Sequence, residues 1–218
     1  MMKLLFNLAA ILFFTITVSA QDGLYIKYET QISGGNEENE MMEMMMTGST
    51  MELAMNKDRS WVRTTMGAMM NMEMSMDVKT NVMTMYMSGM IGDMAFRGNP
   101  DELDDDQDEP EMDIQLIDQT KKINGITCKK AIITDEEGNK SEYWYTEDFK
   151  RPEGVKQMPN QVPGLCLEMI LKMQEGLTIT YTCIDFKENV DMSNYKINIP
   201  DGVEIQSLDE MSNMGMGN

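Results

Sequence analysis

The chain has 218 residues, 28 of them methionine, with three cysteines, no histidine and a formal net charge of −19. That length suits one domain with a core of its own. The charge argues against a nucleic-acid or anionic-membrane partner, both of which need clustered Lys and Arg, and the lack of histidine removes the catalytic triads that use it and most zinc sites.

The first twenty residues stand apart. Lys3 precedes an apolar run from Leu4 to Val18, and Ser19 and Ala20 supply small residues at its end. This pattern predicts a secretory signal peptide over 1–20, cleaved after Ala20, with residues 21–218 as a single β domain starting at Gln21. The run is short for a membrane span, so the expected product is exported, periplasmic or extracellular, with no stable membrane insertion after cleavage.

Strand signals follow in close order. Gly23–Ser33 alternates around Leu24, Ile26 and Tyr28, with the opposite face polar. Met51, Leu53 and Met55 share one face of the next segment. A turn near Asn56–Asp58 leads into a strand through Trp61 and Arg63.

Asn71–Met87 reads NMEMSMDVKTNVMTMYM, with methionine at 72, 74 and 76 and again at 83, 85 and 87. With Val78–Asn81 as a four-residue hairpin loop, Asp77 pairs with Val82, Met76 with Met83, Met74 with Met85 and Met72 with Met87. All six thioethers then share one face. Glu73, Ser75, Asp77, Val82, Thr84 and Tyr86 take the other. A slip of one residue would destroy this segregation, so the register is well specified.

Ser88–Pro100 reads as a loop. Residues 98–113 are expected to form an acidic, solvated loop within the domain, since Asp101–Asp113 holds nine acids and no base. A calcium loop needs Gly at position 6 and Glu at position 12. Counted from Asp101, those positions are Asp106 and Met112.

Met112, Ile114 and Leu116 alternate in the following strand. Gly125–Phe149 reads as a hairpin turning at Glu136–Asn139. Leu165–Phe186 reads as another, with Gln174–Gly176 as a three-residue loop whose glycine takes the left-handed position. That loop pairs Met173 with Leu177, Leu171 with Ile179, Met169 with Tyr181 and Leu167 with Cys183. Cys166 then faces away from Cys183, which disfavours a bridge between them. Cys128 is left as partner for either, with three buried free thiols as the alternative. The C-terminal stretch from Asn194 suggests a short strand, a turn at Pro200–Gly202, a short helix and a frayed end. About ten strands, nearly all antiparallel, and one or two short helices define a mainly β fold: a curved antiparallel sheet or half-open β-barrel.

In the second half, INGITCKKAII (123–133), EYWYTEDF (142–149) and VPGLCLEM (162–169) occur in that order. Together they resemble a family of exported bacterial proteins similar in fold to the LolA/LolB-like outer-membrane lipoprotein carriers. They also resemble the exported proteins named for a Gly-Leu-Pro-Gly-Leu-Ile motif, of which Val162–Leu167 keeps the Pro-Gly-Leu centre. The resemblance spans roughly residues 112–205; the first half matches only as a strand pattern with Trp61 after Lys57–Ser60. It implies a LolA-like half-open barrel whose concave face holds an apolar guest. It supplies no catalytic residues.

Eighteen of the 28 methionines lie between Met41 and Met94. Strands ordinarily favour Val and Ile, whereas Met is adaptable and recurs on promiscuous binding surfaces. The expected function is therefore a non-enzymatic binding protein. An apolar small molecule or lipid would lie on Met72, Met74, Met76, Met83, Met85 and Met87, with no cofactor and no catalytic residue. One alternative uses the same six thioethers as soft Cu(I) ligands, with seven more methionines supplied by Met41–Met55. Another is a structural envelope protein with a filled Met core and an unidentified protein partner. Reversible sulfoxide formation is compatible with each. Glu142–Phe149 places Tyr143 and Tyr145 on one face and Trp144 on the other, as in an ordinary sheet.

Overall fold

A computed structural model describes residues 23–34, 44, 46–67, 69–90, 92–102, 112–152, 162–173 and 176–214. The expected signal peptide, the start at Gln21 and the centre of the acidic loop lie outside these residues, as does most of Met41–Met45.

Twelve strands form a single sheet. β1 (Gly23–Ser33), β2 (Thr50–Met55), β3 (Arg59–Met66), β4 (Met70–Asp77), β5 (Val82–Gly89) and β6 (Met94–Gly98) run outward as an antiparallel meander. The chain then starts again at the far edge. β7 (Asp113–Ile123), β8 (Ile126–Thr134), β9 (Lys140–Thr146), β10 (Leu165–Lys172) and β11 (Thr178–Val190) run inward until β11 pairs with β1. β12 (Ile205–Ser207) joins β6 in parallel and leads into a short helix, α1 (Leu208–Asn213). The mainly antiparallel β architecture is the one expected from the sequence.

Chain reach makes the sheet curl. Ten strand spacings separate β6 from β7, about 48 Å in a flat sheet. Fifteen residue steps join Gly98 to Asp113, about 50 Å at full stretch, and Pro100–Glu102 are already wound into a 3-10 turn. A flat sheet would leave no slack. The Tyr28 hydroxyl also donates to the Cys166 carbonyl oxygen at 2.6 Å, from β1 to β10 over the intervening β11. A side chain standing upright on a flat sheet does not cross two strand spacings, about 9.5 Å.

The main core joins both meanders. Ile26, Tyr28, Leu53 and Met55 pack in one cluster with Ala131, Ile133, Tyr145, Leu165 and Met169. Burying each large apolar side chain is worth about 1.5–3 kcal/mol. A smaller cluster occupies the opposite face, where Tyr25, Ala54, Trp61 and Met192 are buried against Val190, Tyr195 and Ile197. The outer face of β1 is therefore not simply polar: the chain leaving β11 folds back over it and buries Tyr25.

Local turns follow the expected chemistry. Asp135 accepts from the Asn139 backbone N–H at 2.8 Å and closes the β8–β9 hairpin. In the β10–β11 hairpin, Gly176 has φ 80 and the Met173 N–H donates to Leu177 O at 2.8 Å.

Three expectations are corrected. β6 lies inside Ser88–Pro100, read as a loop; Met94–Gly98 is short and ends in glycine, and the free edge of β5 decides its pairing. Leu116 is 59% exposed, because β7 is the sheet's edge and slips register between Ile117 and Thr120. Tyr195–Ile199 form no strand; they follow a 3-10 turn at Met192–Asn194, where the Asp191 carboxylate accepts from Ser193 N at 2.8 Å. The short terminal strand is β12 instead.

Gly164 tests how tightly β9 and β10 are joined. It has φ +82, and a Cβ there would lie 2.1 Å from the Thr146 carbonyl oxygen. Gly138 has φ +84 with nothing within 4 Å of the same atom. Gly138→Ala should cost about 1 kcal/mol, from backbone strain alone. Gly164→Ala should cost about 3 kcal/mol or more, because main chain must also move. Urea denaturation of the two variants measures the difference.

Candidate functional site

The ladders from β1 to β6 run without a register shift except where β1 meets β11. Side-chain direction therefore carries unchanged from strand to strand. One row reads Leu53, Val62, Met74, Met85, Phe96 across β2 to β6. The row on one side reads Met51, Thr64, Met72, Met87, Met94, and the row on the other reads Met55, Ser60, Met76, Met83, Gly98.

The β4–β5 register matches the sequence reading pair for pair, so Met72, Met74, Met76, Met83, Met85 and Met87 share one face. The sequence reading missed its neighbours, Met94 and Phe96 on β6 and Met70 at the start of β4. Alternation at Met94 and Phe96 was the available signal. The rows carry no charged side chain. Their polar groups are the Thr64 and Ser60 hydroxyls.

The six methionines are not equally covered. α1 lays Leu208 and Met211 on Met87 and Phe96, and Met70, Met72, Met83, Met85 and Met94 pack around that contact. Gly98 allows the approach, since a Cβ there would meet Leu208 Cγ at 3.1 Å. Met87 is 6% exposed and the other five are half-buried. Met74 and Met76 lie outside the cluster under α1, and the face merges with the main core through Val62 and Met51. Such a surface can hold apolar chains, and its directly opposed thioethers can approach a soft metal ion.

The reverse face of the same strands is ionic. Arg63 pairs with Glu73 at 3.0 Å and Lys27 with Glu52 at 3.5 Å. Tyr25 donates to Glu52 Oε2 at 2.8 Å. Burial, then that carboxylate, holds the Tyr25 hydroxyl well above its ordinary range. On the other half of the sheet, Lys121 and Lys130 lie 4.2 and 5.5 Å from the Trp144 ring centroid, and each pairs with a carboxylate, Glu168 and Glu142. These aromatic contacts are those of a packed sheet.

The cysteine geometry needs correction. β10 slips register between Cys166 and Glu168: Cys166 lies opposite Tyr145, and Met169 opposite Tyr143. Tyr143 and Tyr145 share a face of β9, so Cys166 and Met169 share one too, and with Met169 opposite Tyr181 this is the face of Cys183. The bulge at Leu167 removes the argument that Cys166 and Cys183 point apart. Cys128, Cys166 and Cys183 are buried, free and members of one cluster. Burial pushes their thiols up to about 11, 12 and 11, so at neutral pH they are weak nucleophiles and poor ligands.

No known family matches the sequence, and no curated protein matches it. Among solved structures, the crystal structure of MucB is similar over 82% of this chain, with 14% identity and a TM-score of 0.47. The chain spans 58% of that protein's length.

Under dilute peroxide, Met87 should oxidise most slowly of the six hairpin methionines. Leu208→Ala should cost about 2–4 kcal/mol and raise the Met87 rate several-fold while leaving Met74 unchanged. Peptide mass spectrometry over a time course reads both rates.

The thiols also predict an alkaline limb. Their folded values lie above the ordinary 9.0, so the unfolded chain loses protons first as pH rises. The stability they contribute is full below pH 9 and is lost as pH climbs through 11 to 12. The urea midpoint should fall between pH 9 and 11, with a shallower slope in the Cys128→Ala, Cys183→Ala double variant.

Proposed function

We propose that this chain is a non-enzymatic exported binding protein that holds an apolar, lipid-like ligand against the methionine face, as the resemblance of its second half to the LolA-like carriers implies. The carrying observation is the three directly opposed pairs Met72–Met87, Met74–Met85 and Met76–Met83, continuous with Val62 and Phe96 and half-open at Met74 and Met76. Thioethers re-pack around guests of varied shape. The signal-like pattern of 1–20 supports export to the periplasm or the exterior. Among the described residues no helix is long and apolar enough to cross a membrane.

A second reading, Cu(I) storage, draws on the same pairs. Directly opposed strand positions hold Cβ atoms about 4.5–5.5 Å apart, so sulfurs from two strands can converge on one ion. A third, a closed envelope module with a protein partner, draws on α1, which already covers the β5–β6 end of the face.

Native mass spectrometry of the protein from its own envelope fraction, before delipidation, separates the three. A retained lipid-sized mass is expected. Met74→Glu with Met85→Glu should lower fluorescent fatty-acid affinity at least ~tenfold, because a carboxylate in an apolar site is heavily penalised. A retained copper mass would move the site to metal storage. A bare mass with no saturable fatty-acid binding overturns the carrier reading.

A further inference from the structure

A cleft lies on the reverse of the methionine face. Its volume is about 560 Å³, within the range of about 300–1,000 Å³ usual for small-molecule sites. One wall is the outer face of β3 to β6, contributing Arg59, Ser75, Asp77, Val82, Thr84 and Arg97. The other is the segment Tyr195–Ile199 that crosses it. Tyr195 pins that segment, with its ring 5.4 Å from both Tyr25 and Trp61 between centroids. The cleft is thereby preformed.

Its charge runs against that of the molecule. The chain holds 37 acids to 18 bases, yet the cleft is lined by Arg59, Arg97 and Lys196 against one carboxylate, Asp77. Asp77 stands opposite Arg59 in the ladder, but its Oδ1 accepts the Lys79 and Thr80 amides of its own turn at 3.0 and 2.9 Å. Asp191 feels Arg59 and Lys196, and its Oδ1 is taken by Ser193. Among the described residues no ion pair engages Arg59, Arg97 or Lys196. Arg97 spends its Nε on the Thr84 hydroxyl at 3.1 Å, which leaves the rest of its guanidinium fork open. In an acid-rich chain, three cations that form no ion pair among the described residues, around one preformed cleft, make a local positive site. The distant acids do not cancel it, because at physiological salt the screening length is about 8 Å.

Beside the hydroxyls of Ser75, Thr80 and Thr84, the lining carries apolar side chains: Val82 on β5 and Ile197 and Ile199 of the crossing segment. A bare inorganic anion would leave that surface wet.

We propose that this cleft binds a small amphiphilic organic anion, a carboxylate or phosphate monoester on a short alkyl chain, with the head at Arg59, Arg97 and Lys196 and the chain on Val82, Ile197 and Ile199. The site lies on the opposite side of these strands from the methionine face and touches its residues only at Met76.

The test is an amide-resolved NMR titration of the whole chain with octanoate and octyl phosphate, against octylamine and acetate. Either octyl anion should shift the Thr84 and Ile197 amides saturably, and the tighter of the two identifies the head group. Octylamine should leave them in place, and acetate should bind at least ~tenfold more weakly, lacking the chain. Arg97 and Lys196 are exposed, so Arg97→Gln with Lys196→Gln preserves the fold and should weaken the octyl anion about tenfold. Met74→Glu should leave this binding unchanged whatever it does on the other face. No saturable shift with either anion, an equal shift with octylamine, or an unaffected double variant overturns the proposal.

Discussion

Eleven cross-strand pairs, from Gly23–Val190 to Ser33–Thr178, join the first strand of the sheet to the eleventh. The rest of the architecture consists mostly of local hairpins, so this seam turns two meanders into one sheet. Forming it closes a loop of roughly 150 residues, about 3 kcal/mol costlier in chain entropy than closing a four-residue hairpin. The side chains of β1 offset that cost: Tyr25, Ile26, Tyr28, Thr30 and Ile32 are all buried. Two register shifts, at Gly23/Leu24 and Lys27/Tyr28, sit in the same ladder, and such bulges bend and twist a strand. Gly23 has no room for a side chain, since its Cβ would lie 2.6 Å from Val190 O.

From this seam the two faces acquire different chemistry. The face carrying Tyr28 packs inward, where β1, β2 and β8 to β11 supply the main core. Followed outward through β4, β5 and β6, the same face passes into a separate cluster under α1. The face carrying Tyr25 becomes the outer cluster with Trp61 and Tyr195, then the cation-lined cleft. Strict alternation along ladders without register shifts keeps the two surfaces from mixing.

The parts legible in the sequence are those whose geometry is local. The β4–β5 hairpin has a short polar turn and strict period-two segregation, so its register and its six-methionine face could be read directly. The β10–β11 hairpin was legible for the same reason as far as Glu168. There the bulge at Leu167 turned Cys166 to the side of Cys183, and nothing in LCLEM announces an extra residue. β6 was hidden because the alternation of Met94 and Phe96 is too brief to mark a strand by itself, and the segment pairs where β5 offers an edge. The cleft was invisible for a deeper reason: its walls come from β3 to β6 and from Tyr195–Ile199, more than a hundred residues apart in part, and the crossing reads in sequence as another strand.

The choice of methionine on the inner face of β4 and β5 is itself informative. Fixing a Met side chain costs up to about 1.5–2 kcal/mol in rotamer entropy, against about 0.5–1 for Ile or Leu. Over six residues the difference reaches about 6 kcal/mol, comparable with the whole stability of an ordinary domain. A face designed only to be locked would therefore favour branched residues, as the core face of β8 does with the buried Ile133. Half-burial changes the comparison, because Met74 and Met76, outside the contact with α1, are not held in one rotamer by neighbours on every side. Methionine is costly as fixed filling and inexpensive on a surface that stays adaptable. The distribution of burial across this hairpin, sealed at Met87 and only half-buried at Met74, fits the second use better than the first.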